Sequence, residues 1–189
     1  DFVVVDQFVD RTNYARDMSF FTDGIVAHIE FSHPVCGELA RVLYEAGKGL
    51  DLRVHGKGTY INMEGPAFST LAESNLYRAL GMDVIGMTNL VEAKLAREAE
   101  ICYATLAAVT DYDCWHPGHD SVTIDMVIQN LSKNVENAKN IISIAIKNLK
   151  TQRSCACRDA LKYAIITDKN LIPAKVKKDL GIIIGKYIK

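Results

Sequence analysis

Two uninterrupted apolar stretches constrain the fold of this chain more strongly than any other feature of its sequence. Residues 83–89 (DVIGMTN) and 102–110 (CYATLAAVT) lack the polar alternation of half-exposed strands, which is typical of strands covered on both faces. Other segments have strand character (2–9, 25–31 and 59–65) or helical spacing (33–50, 69–81 and 90–101). This alternation predicts an α/β fold in which a mixed, twisted β-sheet is flanked by helices.

The pattern changes after residue 120, where apolar residues recur every three or four positions. This spacing predicts a long amphipathic helix that packs across the sheet through one apolar stripe. The stripe consists of Ile124, Val127, Ile128, Leu131, Val135, Ala138, Ile142, Ala145 and Leu149. Residues 153–189 are predicted to form a short, lysine-rich helical tail with solvated charges, and residues 1–189 to form a single domain.

Charge and apolar content limit the partners of the protein. The net charge is −1, which gives no general attraction to nucleic acid or to an anionic membrane. No apolar run approaches the ~20 residues that span a bilayer, and no export signal is recognisable, so a cytoplasmic location is expected. Because DFVVVDQFVD begins without methionine inside a strand-like run, we expect further sequence upstream of residue 1.

The cysteines leave three interpretations open. Their number is odd, and without a secretory signal this usually indicates free thiols: Cys36, Cys102, Cys114, Cys155 and Cys157. The Cys-x-Cys pair at 155 and 157 is expected to be two free thiols, or a strained disulfide. A metal site is the least favoured interpretation, because no second cysteine pair or nearby histidine in the sequence completes it.

A polar cluster follows the strand-like segment 102–110, within the stretch AAVTDYDCWHPGHD at 107–120. This cluster is a metal site, an acid–base site or a polar loop, and it contains Asp111, Asp113, Cys114, His116, His119 and Asp120. Ligands of α/β sheets usually bind at the carboxyl ends of strands, where Asp111 and Thr88 stand. Zinc is disfavoured, because HPGH is a flexible turn that no distant ligand set joins.

Three blocks of the sequence resemble the trimeric purine nucleoside phosphorylase family, and within it the methylthioadenosine phosphorylases. They are 58–74 (GTYINMEGPAFSTLAES), 81–104 (GMDVIGMTNLVEAKLAREAEICYA) and 110–115 (TDYDCW). The resemblance implies a nucleoside phosphorylase-like domain, here incomplete, that assembles as a trimer or a hexamer. It also implies phosphorolysis, in which phosphate, the co-substrate, attacks C1′ of a purine nucleoside. The resemblance implies neither a metal nor an organic cofactor.

The resemblance gives Asp111 and Asp113 the catalytic roles. Asp111 matches the family position that contacts N7 and the exocyclic group of the purine, and Asp113 matches a carboxylate that supports it. A purine leaves readily when N7 is protonated, and burial keeps a carboxyl group protonated enough to act as the acid. Judged from the residues alone, a turn-capping aspartate after a strand is the favoured interpretation of Asp111.

Four other positions match contacts to the base, the sugar and phosphate. Phe68 corresponds to the aromatic ring that stacks on the purine, and Ser69 to a neighbouring polar contact. Met87 matches the residue under the ribose, and Thr88 a phosphate-contacting hydroxyl. Without the resemblance, a core phenylalanine, a serine N-cap of helix 69–81 and a buried strand end fit these residues as well.

The 5′ side of the sugar is matched by His28 and by Ile124, Val127 and Ile128 of the long helix. An apolar pocket of this kind suits a methylthio group, although a lone histidine in an apolar strand is more often a core residue. Relatives that cleave 6-oxopurines carry Glu and Asn where this chain has Ser69 and Asp111. The resemblance therefore favours methylthioadenosine, with a 6-oxopurine nucleoside (inosine, guanosine or methylthioinosine) or an inactive nucleoside-binding fragment as alternatives.

Two further implications concern the rest of the family pattern. Its glycine-rich phosphate loop and Arg-His phosphate pair would lie upstream of residue 1, so the 189-residue chain alone is expected to be inactive. Heat-adapted members also carry the Cys-x-Cys pair, and some join the positions of Cys36 and Cys102 by a disulfide. The resemblance thereby adds a fourth interpretation of the cysteines, a disulfide between Cys36 and Cys102.

Overall fold

A computed structural model describes residues 1–13, 16–116 and 124–188, with the backbone alone for residues 124–127. The strands are β1 Phe2–Val5, β2 Gln7–Arg11, β3 Val54–His55, β4 Thr59–Met63, β5 Val84–Gly86 and β6 Thr105–Ala108. The helices are α1 Gly37–Lys48, α2 Leu71–Ala79, α3 Asn89–Glu98, α4 Ile124–Asn148, α5 Ala174–Asp179 and α6 Gly181–Ile184. A 3₁₀ turn spans Ala156–Asp159. No helix in these ranges is long and apolar enough to cross a membrane.

The strands form two three-stranded sheets rather than one. In the first, β1 lies between β3, to which it is parallel, and β6, to which it is antiparallel. The second sheet is parallel throughout, with β4 between β2 and β5. The mixed α/β class predicted from the sequence is confirmed.

Asp6 separates the two sheets, so the predicted strand 2–9 is in fact two strands. Its backbone N–H donates to the Gly58 carbonyl at 3.2 Å, and its carboxylate accepts the Gly58 N–H at 2.9 Å. These bonds hold the chain where it leaves β1 and enters β2. A polar residue between two apolar runs is thus the point at which the backbone changes sheet.

The predicted strand 25–31 is wrong. Within the described residues, Ala27 forms only an isolated bridge with Ile165. Ile25 instead lies in a cluster with residues of the C-terminal segment, together with Phe21, Leu161, Ala164, Ile172 and Ile184. The apolar character of 25–31 therefore comes from packing against residues far along the chain, which strand propensity alone does not reveal.

The face on which α4 packs also differs from the predicted stripe. Ile141 and Ala145 are fully buried with Phe2, Leu43 and Val54, in a core that joins α4 to α1 and the first sheet. Five predicted stripe members are instead exposed: Ile128, Leu131, Val135, Ile142 and Leu149. The helix is apolar over a wider arc than one neighbour covers, so spacing alone could not select the buried side.

The sequence disfavoured a metal site at Cys155 and Cys157 because no further ligands were recognisable. In the fold, Cys36 and Cys102 lie next to this pair. The sulfur atoms of Cys36, Cys102, Cys155 and Cys157 all lie within 4.8 Å of one another. Each of the four is a free thiol in the structure. Residues more than a hundred positions apart thus form one cluster, and Cys114 lies elsewhere.

Candidate active site

Segments that follow β4, β5 and β6 converge on one region. The strands β4 and β5 are parallel neighbours, so their carboxyl ends lie at the same edge of the second sheet. Met87, after β5, packs directly on Gly65, after β4: a Cβ atom at Gly65 would lie 2.3 Å from Met87 Cε. The loop after β6 reaches the same segment, where Cys114 Sγ lies 3.7 Å from the Ser69 carbonyl oxygen.

The segment after β4 presents Phe68 and Ser69 side by side. Phe68 is 83% exposed, so it is not the core residue that composition alone would suggest. Ser69 is half-buried, and its hydroxyl lies 3.4 Å from Met63 Sδ. Ser69 does not cap α2, because Thr70 and Glu73 form the capping box. The Ser69 side chain is therefore not needed to start the helix.

The loop that contains Asp111 and Asp113 is fixed from both sides. At its start, the side-chain amide of Asn134 on α4 donates to the Val109 carbonyl at 2.9 Å. Farther along, the Arg78 guanidinium of α2 lies 3.9 Å above the Trp115 ring. The loop thus bridges α4 and α2.

The carboxylates in this loop differ in exposure. Asp113 is half-buried, and one of its oxygens accepts the Cys114 N–H at 2.8 Å. Asp111 is exposed, which contradicts the burial on which the general-acid argument from sequence depended.

Tyr60 and Asn62 of β4 position the turn at Met87 and Thr88. Burial raises the pKa of the Tyr60 hydroxyl, although the Thr88 backbone N–H that faces it opposes the shift. Asn62 is fully buried, and its Oδ1 accepts the Leu90 N–H at 3.0 Å. Both side chains therefore hold the start of α3, next to the predicted sugar and phosphate contacts.

Gly86 is required by the close approach of Tyr60, so Gly86→Ala should destabilise the protein. A Cβ atom there would lie 1.7 Å from Tyr60 Oη, and the ring would have to move away from Thr88. We expect the free energy of unfolding to fall by about 1–3 kcal/mol in urea denaturation. In contrast, Gly37→Ala in α1 meets nothing within 4 Å and should be neutral or slightly stabilising. Equal stability of the two variants would contradict this packing.

Asn89 links the start of α3 to the chain leading into β6. Its Oδ1 lies 2.5 Å from the Tyr103 hydroxyl and accepts the Thr105 hydroxyl at 2.6 Å. The Tyr103 hydroxyl also lies 2.9 Å from the Glu92 carboxylate. Burial and the Glu92 carboxylate raise the pKa of Tyr103 to about 12, although the neighbouring Thr105 side chain opposes the shift. The two sheets are thereby joined next to the site.

This raised pKa predicts a loss of stability at alkaline pH. Between pH 10, the ordinary pKa of tyrosine, and about pH 12, the unfolded chain loses the Tyr103 proton while the folded chain retains it. The contribution of Tyr103 is therefore complete below pH 10 and is lost as pH rises through this window. Urea denaturation from pH 8 to 12 should show a shallower decline for Tyr103→Phe than for the parent. Parallel declines would refute the assignment.

Arg16 and Glu64 were not identified from the sequence. Arg16 donates to the Met87 carbonyl at 3.1 Å and lies 3.7 Å from Glu64, whose other oxygen accepts the Asn13 N–H at 2.6 Å. They tie the ends of β4 and β5 together. Nothing in the sequence marks Arg16, whereas a polar Asn62 inside the apolar strand TYINM is a signal that was available.

Several predicted site residues are not brought together with the others. His28 is exposed, and its backbone N–H donates to the carbonyl of Ala164, in the C-terminal segment. Ile128 is exposed on α4. The side chains of Ile124 and Val127 lie outside the described residues, as do His119 and Asp120. His116 stacks on Tyr112, with ring centroids 4.5 Å apart.

A family model and similar curated proteins all indicate a phosphorylase. The family model described as the phosphorylase superfamily matches residues 1–147. The S-methyl-5′-thioadenosine phosphorylase of Geobacter sulfurreducens is 56% identical over 186 residues, covering 98% of this chain and 65% of that protein. The protein of the same name from Thermosynechococcus vestitus is 57% identical over 192 residues, covering 100% and 66%.

Solved structures agree. A methylthioadenosine phosphorylase from an Antarctic soil metagenomic library superposes with a TM-score of 0.91 at 45% identity, over 97% of this chain and 65% of that one. Methylthioadenosine phosphorylase from Schistosoma mansoni, in complex with adenine, gives 0.77 at 31% identity, over 86% and 64%. The chain thus spans about two thirds of the length of the relatives that it matches.

Proposed function

The chain belongs to the phosphorylase superfamily, and on that premise we propose that the complete protein cleaves 5′-methylthioadenosine with phosphate. The C1′–N9 bond breaks, a phosphate oxygen bonds to C1′, and the products are adenine and 5-methylthioribose 1-phosphate. The observation that carries the proposal is the convergence of Phe68, Met87 and the Asp111 loop at the ends of three strands. The names of the 56–57% identical relatives support the choice of substrate.

The base is held between Phe68 and the Asp111 loop in this proposal. The exposed Phe68 ring can stack on a purine without rearrangement of a core. Asp111 in its acid form donates a proton to N7 as the glycosidic bond breaks, while its other oxygen accepts from the 6-amino group. A bound purine would itself shield this carboxyl group from water, which offsets its exposure in the free chain.

The sugar and phosphate lie towards the start of α3. Met87, fixed against Gly65, provides a polarisable thioether under the ribose, where positive charge develops. Thr88 stands at the N-cap of α3, and its side chain makes no capping hydrogen bond. Its hydroxyl is available to phosphate at the positive end of the helix dipole.

His28 is best explained by a neighbouring subunit. It matches a family position at the 5′ side of the sugar, yet its backbone bonds to Ala164 of the C-terminal segment and its side chain is exposed. We therefore propose a homotrimer, or a hexamer of trimers, in which His28 completes an adjacent site. The exposed apolar residues of α4, among them Ile128, Leu131 and Val135, support burial against another copy. The cytoplasmic location stays a prediction.

The proposal is tested with the protein expressed from its complete reading frame. Methylthioadenosine is supplied with and without phosphate, inosine is run in parallel, and the free base is separated and quantified. Phosphate-dependent release of adenine is the expected result. Hypoxanthine from inosine alone would refute the choice of base, and release of neither base would refute the enzyme assignment.

A further inference from the structure

The four clustered cysteines have the dimensions of a tetrahedral metal site. Their sulfur atoms all lie within 4.8 Å of one another, and Cys102 Sγ is 3.3 Å from Cys155 Sγ. Zinc–sulfur bonds of about 2.3 Å place the sulfurs of a tetrahedral site about 3.8 Å apart. A small adjustment of side chains would therefore suffice to surround one ion.

The ligands come from separate parts of the fold. Cys36 stands at the start of α1, and Cys102 lies between α3 and β6. Cys155 and Cys157 lie at the start of the 3₁₀ turn. The cluster consequently joins the first sheet and its helices to the C-terminal segment, as a structural metal ion does in a small fold.

The surroundings suit a negatively charged metal–thiolate centre. Cys36 and Cys157 are buried, while Cys102 and Cys155 are half-buried. The Arg153 guanidinium lies 3.9 Å from Cys102 Sγ and also donates to the Glu100 carbonyl at 3.0 Å, which fixes its position. Four thiolates on a divalent ion carry a net charge of −2, which this arginine partly offsets. The Cys36 N–H donates to the Tyr103 carbonyl at 2.7 Å and fixes that ligand's backbone.

We propose that Cys36, Cys102, Cys155 and Cys157 bind one zinc ion as a closed structural site. Each thiol loses its proton to solvent as its sulfur bonds to the metal, so the step involves no oxidation or reduction. Four protein ligands leave no open position for a substrate, which separates this site from the phosphorolysis chemistry. The inference stands independently of the proposed function, because none of these cysteines is assigned a contact to base, sugar or phosphate.

The same four sulfur atoms could instead form two disulfides. A disulfide requires two sulfurs about 2.05 Å apart and places no demand on the other pair. A single ion requires all four sulfurs to be mutually close, which is the arrangement observed. The geometry therefore favours an ion over two independent pairs.

The test measures metal and thiols in the complete protein. The protein is purified with a phosphine reductant and supplied with zinc. After removal of loosely bound ion, its metal is determined by mass spectrometry and its thiols are titrated in denaturant. The apo-protein is then titrated with cobalt(II), whose absorption reports tetrahedral thiolate ligation. We compare Cys155→Ser with Cys114→Ser, which removes the exposed cysteine outside the cluster.

We expect about one zinc ion per chain in the parent and in Cys114→Ser, and near-complete loss in Cys155→Ser. Every cysteine of the parent, the five in this sequence among them, should titrate as a free thiol after the metal is removed. Absence of zinc together with a featureless cobalt spectrum in the parent would overturn the proposal, even if Cys155→Ser failed to fold. Missing thiols in a parallel metal-free sample of the parent, purified anaerobically without the reductant, would establish disulfides instead and overturn it as well.

Discussion

Asp111→Asn is expected to lower phosphate-dependent release of adenine by about 10²–10⁴-fold, the usual contribution of a general acid. An amide can still donate a hydrogen bond towards N7, but it cannot deliver a proton to the departing base. Because Asp111 is exposed, the substitution removes no buried contact and should change the free energy of unfolding by less than about 0.5 kcal/mol. Activity and stability should therefore separate in this variant.

The comparison requires a matched aspartate outside the site. Asp51 is exposed after α1 and has a φ of 55°, a conformation that asparagine tolerates well. Asp51→Asn should keep both activity and stability, measured by adenine release and by urea denaturation. If Asp111→Asn released adenine as fast as the Asp51 variant, the assignment of the acid to Asp111 would be refuted.

Local pattern was sufficient for the elements that position the candidate site. The observed strands β5 and β6 lie within the predicted segments 83–89 and 102–110, and polar residues follow their carboxyl ends. Thr88 and Asp111 stand at such ends because a strand must stop where its backbone turns to a helix or a loop. Periodicity and strand ends are properties of a few consecutive residues, so a sequence contains them.

Contacts between residues far apart in the sequence could not be predicted from local pattern. Residues 25–31 have strand composition, yet Ile25 packs against Leu161 and Ile184. The sequence did not reveal the other two ligands of the cysteine pair at 155 and 157, because Cys36 and Cys102 approach it only in the fold. In each case the deciding partner lies tens of residues away, and neither spacing nor propensity encodes that distance.

Phe68→Ala should weaken the binding of the nucleoside while leaving the protein folded. Stacking of a base on an aromatic ring is worth about 1–3 kcal/mol by alanine substitution, so KM for methylthioadenosine should rise about 5–150-fold. The ring is 83% exposed in the free chain, so its loss opens no cavity. Stacking acts on the base in both the ground state and the transition state, and kcat should accordingly change little.

Tyr163→Ala is the matched control, because Tyr163 is 88% exposed and lies in the C-terminal segment. It should retain the KM of the parent, and Phe68→Tyr should recover most of the lost affinity, since it restores an aromatic face. A fall in kcat with unchanged KM in Phe68→Ala would indicate that the ring orders the Asp111 loop rather than the substrate. Unchanged kcat and KM in Phe68→Ala would show that Phe68 does not contact the base and that other residues bind it.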